Sequence, residues 1–421
     1  MKVLCFTNSS YKYNQSKNKY YGAGWIDSLL MLMEKNNSIQ LGISFFHEKD
    51  GGKVVRQNIT YYPTYKEPRK KNRLKTIWND WKGEIENNNI YDSLALVVAD
   101  FKPDIIQVFG TEGVYAGIQK YTDTPVLVHI QGVLNPYYNT YFPINQSKWN
   151  FLLNPNYLVD NILGKGPSFS AKRFRKMAQR EEEHFKHLKY VSGRTAWDHL
   201  VAKISNPDVE YFHVDEILRP IFYENEIAGA IRKKEDTLQL VSTISPTIYK
   251  GIDVILKTAK LLTDHTNIKF SWKVIGLDAS HPFTRHYEKS LKIFHKEVNV
   301  EFIGIRKSEA FINQLKQSDI FIHPSYIDNS PNSVCEAQIL GLPVIACNVG
   351  GLSTLISDNE TGFLVPSNGI YEIVNCIKNY RDNLSLFKRV GENAREVALK
   401  RHNKNKIIEE LIDVYKKIVI S

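Results

Sequence analysis

Two carboxylates, Asp328 and Glu336, stand eight positions apart in the most informative stretch of this 421-residue sequence, residues 321–346. Asp328 follows a strand-like apolar run that ends at Pro324, so we place it in a loop, where a carboxylate can hold sugar hydroxyl groups. Glu336 falls in the helix expected next, about two turns from its start. From there it can accept two hydrogen bonds from a diol such as a ribose.

We predict that this helix has Ser330 as its N-cap residue and Pro331 at its first position, and that Gly341 ends it. The first backbone N–H groups of a helix have no partner within the helix and lie at the positive end of its dipole. We therefore expect the first amides to hold a diphosphate, namely those of Asn332, Ser333 and Val334. The alternative is an ordinary strand, loop and helix without a ligand.

This stretch resembles the E-x7-E region of the family-4 glycosyltransferases, in which proline-serine, a loop acid, a helix-borne glutamate and G-x-P-V follow in this order. The resemblance implies that Glu336 binds the nucleotide ribose and that Asp328 contacts the donor hexose. The family usually has glutamate at the first acidic position, whereas this chain has D-x7-E. One methylene group less shortens the reach of the carboxylate toward the sugar.

Residues 242–251 resemble the family's G-R-x-x-x-x-K-G loop, whose arginine and lysine hold the donor diphosphate. Lys250 and Gly251 match, but Ile244 and Ser245 stand where the arginine is expected. An ammonium group suits phosphate oxygens as a point charge, whereas a missing bidentate arginine has to be replaced by hydroxyl or backbone groups. The alternative for Lys250 is an ordinary surface lysine.

Glycines follow several predicted strands of the second half. Gly350 and Gly351 resemble the family's glycine pair, where the backbone approaches the donor, although plain turn formers would look the same. Gly276 and Gly304 end strands at the carboxyl edge of a parallel sheet, where nucleotides bind in α/β folds. The residues after Gly304 are candidates for lining the base; they are Ile305 and Arg306.

The first half offers weaker matches, although residues 193–198 and 215–219 also look like family segments. Gly22 and Gly24 lie in a loop that opens a helix and resembles the family's first loop, beside donor phosphate and acceptor. The loop is not a G-x-G-x-x-G fingerprint, and a plain turn is the alternative. His129 ends a strand where a family histidine contacts the transferred sugar, although a lone histidine is usually structural. Glu112 ends another strand and is a candidate for the acceptor side.

The elements that must position these residues alternate between strand-like runs and helix-length segments, which predicts an α/β fold with parallel sheets. The predicted strands are residues 3–7, 104–109, 125–129, 190–193, 238–243, 269–276, 300–304, 320–324 and 343–347. The predicted helices are residues 25–35, 196–204, 252–262, 309–317 and 331–340, followed by an amphipathic closing helix within residues 400–419.

The resemblance implies a GT-B fold, in which two Rossmann-like domains face each other across a cleft and a C-terminal helix crosses back to the first. A chain of 421 residues has room for two such domains. We assign residues 1–215 to the acceptor-side domain and residues 237–399 to the nucleotide-sugar-binding domain. Residues 216–236 form the predicted linker, and residues 400–421 the closing helix.

Composition excludes several classes of protein. A hydrophobic content of 43% suits two packed interiors rather than a disordered chain. No apolar run reaches the roughly 20 residues that a membrane-spanning helix needs, and the first run is too short for a signal peptide. The four cysteines are scattered and include no C-x-x-C pair, so we expect neither a disulfide scaffold nor a structural zinc site. This pattern fits a protein of the reducing cytoplasm.

The formal net charge of +10 is concentrated in two basic runs of the first half, residues 65–82 and 165–180. The first run also contains Tyr65, Trp78 and Trp81, and aromatic rings prefer the headgroup zone of a membrane. Lysine and arginine are attracted to an anionic leaflet. We therefore expect a peripheral protein on the inner face of the membrane, with a solvated lysine-rich surface as the alternative.

The resemblance implies a retaining transfer of a hexose-type sugar from a nucleotide-sugar to a glycan or lipid-linked acceptor, in bacterial surface polysaccharide synthesis. His129, Asp328 and Lys250 are the candidates for catalytic roles. Family members need no metal, and the cleft segments contain no D-x-D element, so we expect neither metal nor cofactor. The alternatives are a sugar-nucleotide epimerase or phosphorylase of the same fold. Charge alone also allows a nucleic-acid-binding protein, but no nucleic-acid recognition sequence is present, so nucleic acid is not an expected partner.

Overall fold

A computed structural model describes residues 1–13, 24–49, 51–66, 73–85, 90–144, 146–226 and 237–421. The chain divides into two compact units, each built around its own sheet. Unit 1 comprises Met1–Tyr138, Ile162–Arg219 and His402–Ser421, and unit 2 comprises Asn139–Asn161 and Pro220–Arg401. Part of the predicted linker, residues 227–236, and the predicted donor residue Gly22 lie outside the described residues.

The described residues of unit 1 form one eight-stranded sheet and those of unit 2 form one six-stranded sheet, in the orders β3-β4-β2-β1-β5-β6-β7-β8 and β11-β10-β9-β12-β13-β14. All neighbouring strands pair in parallel except β3 and β4. The strands of unit 1 are β1 (Lys2–Phe6), β2 (Gln40–His47), β3 (Val54–Arg56), β4 (Ile59–Tyr65), β5 (Ile105–Phe109), β6 (Val126–His129), β7 (Tyr190–Gly193) and β8 (Glu210–His213). Those of unit 2 are β9 (Leu238–Thr243), β10 (Phe270–Ile275), β11 (Val300–Gly304), β12 (Ile320–His323), β13 (Val344–Cys347) and β14 (Phe363–Val365).

Helices connect the parallel strands, as the crossover between such strands requires. The α-helices of the described residues up to the middle of the chain are α1 (Gly24–Lys35), α2 (Arg73–Lys82), α3 (Ile90–Phe101), α4 (Leu134–Asn139), α5 (Lys148–Leu152), α6 (Leu158–Ile162), α7 (Pro167–Phe185), α8 (Ala196–Ser205) and α9 (Pro220–Tyr223). The later ones are α10 (Ile252–His265), α11 (Pro282–Leu291), α12 (Ser308–Lys316), α13 (Asn332–Ile339), α14 (Leu352–Leu355), α15 (Ile370–Asp382), α16 (Leu384–Arg401) and α17 (Lys404–Ile420). None of the helices in the described part of the chain is both long and apolar enough to span a bilayer.

The strands predicted from the sequence are confirmed. Those at residues 190–193, 238–243 and 300–304 match residue for residue, and the other six match within one residue at each end. The central strands are buried on both faces, because helices cover both sides of a parallel sheet. Their near-continuous apolar runs made them recognisable. Strands β2, β3, β4, β8 and β14 were not predicted.

The closing helix packs into unit 1 and begins later than predicted. Arg401 ends α16, and α17 starts at Lys404. The side chain of Asn403 caps α17 by accepting hydrogen bonds from the amides of Asn405 and Lys406. Between the two helices, His402 Nδ1 donates to Glu216 O at 2.8 Å. The apolar face of α17 joins the core around β1 and β2, and Tyr415 Oη donates to Gln107 Oε1 at 2.9 Å.

The division of the chain differs from the predicted boundaries in one segment. Asn139–Asn161 belongs to unit 2, whereas the predicted boundary at residue 215 places it in the first domain. The physical reason is its packing on α11: the ring of Phe151 stacks on His286 with centroids 4.3 Å apart, and Asn154 Nδ2 lies 2.7 Å from His286 Nδ1. The later change of unit comes between Arg219 and Pro220, four residues beyond the predicted start of the linker.

Candidate active site

The centre of the candidate site in unit 2 is a cluster of Lys250, Asp328 and His323, in which Lys250 and Asp328 form an ion pair. Lys250 Nζ lies 2.5 Å from Asp328 Oδ2, and His323 Nε2 lies 3.1 Å from the same oxygen. Lys250 ends a 3₁₀ turn after β9, His323 ends β12, and Asp328 follows in the next loop. Because β9 and β12 are neighbours, they bring together two residues 78 positions apart in the chain. The two residues that the family resemblance singled out therefore contact each other.

Asp328 is ionised in this cluster. Burial alone would raise the pKa of its carboxyl group, but the charge of Lys250 and the close approach of His323 outweigh burial and hold the pKa well below its ordinary value. Burial lowers the pKa of His323, so its ring is neutral near pH 7. Lys250 thus faces a buried carboxylate, and a phosphate bound at Lys250 would compete with Asp328 for the same ammonium group.

Two of the predicted glycines are required by the backbone around this cluster. Gly251 has φ +77°, and a Cβ at this position would overlap with the carbonyl oxygen of Pro324. Gly350 has φ +54°, and a Cβ there would overlap with the carbonyl oxygen of Asp328. The amide of Gly351 donates to that same carbonyl at 3.0 Å. Only glycine fits at the first two positions, so these turns hold the Asp328 loop in place.

Helix α13 begins one residue later than predicted. Pro331 has an extended ψ of 116° and is the N-cap residue, so Asn332 is the first helical residue. The amide of Val334 donates to Pro331 O at 2.9 Å, and the prediction that it is an open donor is therefore wrong. Among the described residues, no acceptor is found for the amides of Asn332 and Ser333. Open amides at a helix N-terminus are suited to an anion, and the role of these two toward a diphosphate stays a prediction.

Glu336 is the fifth residue of α13, just over one turn from its start rather than two. Its side chain is only 6% exposed. Residues three and four positions apart share one face of a helix. Glu336 therefore lies on the face of Asn332 and Ser333, so the ribose candidate and the diphosphate candidates belong to one surface of α13.

The remaining donor candidates lie at the carboxyl ends of β10 and β11. The amide of Gly276 donates to Gly304 O at 2.9 Å, and both residues have positive φ, +108° and +71°. Ile305 and Arg306 follow immediately and are exposed. An exposed isoleucine beside a flexible arginine at this edge of the sheet offers an apolar surface and hydrogen-bond donors to a base.

In unit 1, His129 is buried at the end of β6 with one ring nitrogen unsatisfied. Its Nδ1 lies 2.9 Å from Ser192 Oγ, whereas no described residue bonds to Nε2. The ring lies 5.0 Å from that of Trp25, the second residue of α1. Burial, with the nearby positive charge of Arg194, lowers the pKa of His129 to about 3. A buried neutral imidazole with an open nitrogen is suited to a hydrogen bond with a ligand.

Two arginines of unit 1 surround the start of α1 and were not among the predicted site residues. Arg194 is buried, forms an ion pair with Glu216 at 3.2 Å and lies over the ring of Trp25 at 5.4 Å. The side chain of Arg219 packs so closely on Gly24 that a Cβ there would lie 2.9 Å from its Cδ. The signal that could have found them is the family likeness of residues 193–198 and 215–219.

Glu112, the acceptor candidate, holds two loops of unit 1 together. Its Oε1 accepts from the amide of Gly132 at 3.0 Å, and its backbone carbonyl accepts from Arg180 Nη2 at 3.0 Å. Burial raises the pKa of its carboxyl group. These contacts are those of a structural residue, and the acceptor role of Glu112 stays a prediction.

A second glutamate of unit 1, Glu181, is fully buried among hydrogen-bond partners. Its Oε2 accepts from the amide of Leu134 at 2.6 Å, and its Oε1 contacts the hydroxyl of Thr111, which also lies 3.1 Å from Gly132 O. The hydroxyl has one hydrogen, so both of its contacts are satisfied only when Glu181 is protonated and donates to it. Burial raises the pKa of Glu181 to about 8, in agreement with this assignment.

We expect Glu181→Gln to change how the stability of the fold depends on pH. Glutamine keeps the same donor and acceptor pattern but does not ionise. Because the pKa of Glu181 is raised from 4.5 to about 8, its contribution is full below pH 4.5 and is lost as pH rises toward 8. The free energy of unfolding of the wild type should therefore fall, relative to the variant, by about 1.4 kcal/mol per pH unit across this range.

Urea unfolding at about pH 5, 7 and 9 measures this difference in the free energy of unfolding between the wild type and the variant. Glu182→Gln, at the exposed next position, is the matched control and should follow the wild type at each pH. Parallel curves for the wild type and Glu181→Gln would show that Glu181 is ionised in the fold.

Residues 224–397 match the family described as Glycosyl transferases group 1. An Escherichia coli UDP-Gal:alpha-D-GlcNAc-diphosphoundecaprenol alpha-1,3-galactosyltransferase is 30% identical over 109 residues, which cover 26% of this chain and 28% of that protein. For three curated relatives, the matched segments span 44%, 28% and 33% of their length. The chain therefore spans less than half the length of the curated relatives it matches.

Solved structures resemble the chain over nearly its whole length. A sucrose-phosphate synthase from Thermosynechococcus elongatus has a TM-score of 0.70 at 12% identity, covering 99% of this chain and 98% of that one. The Anabaena protein HepE, solved in complex with UDP and glucose, has a TM-score of 0.62 at 13% identity, covering 99% of both chains. These neighbours confirm the predicted GT-B fold class, with two parallel-sheet Rossmann-like units and a C-terminal helix. The family match thus covers residues 224–397, and the structural neighbours show the GT-B fold for the chain that contains them.

Proposed function

We propose that this chain is a retaining, metal-independent glycosyltransferase of family 4. It moves a hexose-type sugar from a nucleotide-sugar to a glycan or lipid-linked acceptor, in bacterial surface polysaccharide synthesis. The observation that carries the proposal is the ion pair of Lys250 and Asp328 within the unit that contains the family match. The E. coli relative acts, by its name, on a diphosphoundecaprenol-linked sugar, and HepE binds UDP and glucose. Both support the proposed donor and acceptor classes.

In the proposed donor complex, each group of unit 2 has a separate task. Lys250 and the amides of Asn332 and Ser333 bind the diphosphate, and Glu336 binds the ribose. The backbone at Gly251, Gly276, Gly350 and Gly351 lets these groups approach the donor, while Ile305 and Arg306 line the base.

The sugar contact follows from the charge of Asp328. When a diphosphate shares the ammonium group of Lys250, the ion pair between Lys250 and the buried carboxylate of Asp328 is weakened. Weakening the pairing of a buried charge is costly, so further donors to Asp328 stabilise the complex. Hydroxyl groups of the hexose are such donors. Diphosphate binding and sugar binding are thereby coupled, and a shorter aspartate can serve because Lys250 and His323 fix its position.

The proposed reaction passes through separated charges rather than a covalent enzyme intermediate. The bond between the anomeric carbon and the diphosphate breaks, and the negative charge that develops on the leaving group is stabilised by Lys250 and the α13 terminus. The acceptor oxygen attacks from the same face and transfers its proton to a phosphate oxygen of the leaving diphosphate. His129, neutral and with an open Nε2, accepts or donates a hydrogen bond at the transferred sugar. No cofactor takes part.

A screen of nucleotide-sugars tests this proposal. A bound donor raises the melting temperature by mass action, so UDP-, GDP- and ADP-sugars are compared with their free sugars, with and without EDTA. We expect one nucleotide class to raise the melting temperature and to be hydrolysed slowly in the absence of acceptor, with the released sugar retaining its anomeric configuration by NMR. An isomerised nucleotide-sugar without hydrolysis would instead show an epimerase, and no response to any nucleotide would overturn the proposal.

We expect His129→Ala to lower turnover while leaving the affinity for the free nucleoside diphosphate unchanged. The reason is that His129 belongs to unit 1, whereas the diphosphate groups belong to unit 2. The wild-type pH profile should show no imidazole ionisation near pH 6.5, because the pKa of His129 is lowered to about 3. Turnover under saturating donor and titration with UDP measure the two effects. Equal losses of affinity in His129→Ala and Lys250→Ala would contradict this division of roles.

We also propose that the enzyme works in the cytoplasm on the inner face of the membrane, where a lipid-linked acceptor is presented. The basic runs of the first half support this location.

A further inference from the structure

Helix α2 presents its apolar side chains to solvent and its acidic side chain to the protein. Leu74, Trp78 and Trp81, at spacings of four and three, fall on one face and are 81%, 60% and 47% exposed. Asp80 is buried instead and pairs with Arg173 of α7 at 2.5 Å. A surface helix normally turns its apolar stripe toward the core. The outward stripe of α2 therefore contributes little to the core of unit 1.

This stripe is fixed in position by its contacts with neighbouring residues. Trp81 Nε1 donates to Ile162 O at 2.9 Å, and the Trp81 ring lies 5.5 Å from that of Phe169. Lys172 Nζ donates to the backbone carbonyl of Trp81 at 3.3 Å. The side chain of Ile162 is itself 60% exposed. We call the four apolar side chains of Leu74, Trp78, Trp81 and Ile162 the α2 surface.

Two basic side chains contact the α2 surface, and the stretches of sequence that carry it are rich in basic residues. Within residues 73–82 and 162–180 the only acid is Asp80, which is already paired with Arg173. Lys82 Nζ lies 4.9 Å from the centre of the Trp78 ring. The exposed basic residues of these two stretches are Lys75, Lys82, Lys165, Lys172 and Arg175. An apolar stripe with tryptophan at its centre and lysines at its border is the pattern of a helix that lies in a membrane interface.

We propose that the α2 surface docks on an anionic lipid bilayer, with Leu74 and Trp78 in the headgroup zone and the surrounding lysines on lipid phosphates. The positive border argues against a second copy of this chain, which would bring the same charge to the contact. Exposed leucine and isoleucine offer no bond to a phosphodiester chain, which argues against nucleic acid. Only the purpose of the docking rests on the proposed function: it would bring the enzyme to a lipid-linked acceptor.

Vesicle sedimentation tests the docking. The full chain is mixed with phosphatidylcholine vesicles that contain or lack phosphatidylglycerol, at low and high salt. We expect binding to the anionic vesicles at low salt and a loss of about tenfold or more in Leu74→Ser/Trp78→Ser, because two large apolar side chains no longer leave water. Leu96→Ser on α3, at a residue 72% exposed, is the matched control and should bind like the wild type.

Two further variants separate insertion from charge. Lipids brominated in their chains should quench part of the tryptophan fluorescence of the bound wild type. Trp78→Phe should keep vesicle binding but lose much of that quenching, since an aromatic side chain remains without the indole. Lys82→Gln/Arg175→Gln should weaken binding and reduce its dependence on salt. Unchanged melting temperatures in these variants show that the fold is intact.

Three results would overturn the proposal. They are equal recovery in the supernatant under all conditions, undiminished binding of Leu74→Ser/Trp78→Ser, and self-association of the wild type that this double variant abolishes. The last would identify the α2 surface as a contact between copies. The nucleotide-sugar thermal shift is measured on the same samples. Vesicle binding without a thermal shift from any nucleotide-sugar would overturn the enzymatic function alone. A thermal shift without vesicle binding would overturn the docking alone.

Discussion

Glu336→Ala should lower turnover of the nucleotide-sugar by about ten- to a hundredfold or more while the chain stays folded. A hydrogen bond to a charged group contributes about 1.5–3 kcal/mol, and Glu336 is expected to accept two from the ribose. Glu336 is the single acidic residue of α13, so no other carboxylate of this helix can replace it. Steady-state kinetics with the donor found in the screen measures the loss.

Two companion variants make this result specific. Glu336→Gln keeps the size of the side chain but accepts fewer bonds, and we expect an intermediate loss. Glu372→Ala removes an exposed glutamate from α15 of the same unit and should leave turnover unchanged. Unchanged kinetics in a folded Glu336→Ala would rule out the ribose role.

Lys250→Ala is expected to weaken binding of the nucleoside diphosphate and to destabilise the fold. The variant loses the phosphate ligand and also leaves Asp328 buried without its ion pair. Breaking a buried pair in this way costs about 3–5 kcal/mol. Adding Asp328→Asn removes the buried charge that Lys250→Ala leaves without its ion pair. The double variant should therefore regain most of the stability but not the affinity for the nucleoside diphosphate. Urea unfolding and titration with UDP measure the two effects separately.

Lys260→Ala is the matched control for stability, because its pair with Asp264 is exposed and should contribute at most about 1 kcal/mol. The pKa of Asp328 is lowered, so the pair stabilises the fold fully above pH of about 4 and its contribution is lost in stronger acid. The cost of Lys250→Ala should shrink there. Normal UDP affinity in Lys250→Ala would remove this residue from the donor site.

Most of the central strands could be predicted from the sequence, because strands such as β1 and β6 carry unbroken apolar runs. The edge strands were harder. Pro63 lies inside β4 and argues against a strand, since proline cannot donate to a sheet. It is tolerated because β3 pairs only with Ile59, Thr60 and Tyr61, so no strand of the described residues pairs with β4 on that side at Pro63. Strand β8 is half-exposed and lacks an apolar run.

The candidate residues of the site could be named from the sequence, but their mutual contacts could not. No local pattern predicts that Lys250 meets Asp328 across 78 positions, because the meeting depends on β9 lying next to β12. The assignment of Asn139–Asn161 failed for the same reason, since Phe151 packs on a histidine 135 positions later, at His286. The start of α13 was displaced because Pro331 takes an extended rather than a helical backbone.

The three-segment make-up of unit 1 has a consequence for how the protein is synthesised. Helix α17 supplies Ile407, Leu411 and Tyr415 to the core that also contains Val3 and Cys5, yet it follows all of unit 2 in the chain. On a ribosome, β1 and β2 therefore emerge long before the helix that covers them. Unit 1 cannot complete its core until unit 2 has been translated, and part of its apolar surface stays uncovered until then. Chaperone binding to nascent chains should accordingly persist until α17 has left the exit tunnel, because α17 covers apolar residues of β1 and β2 that emerged much earlier.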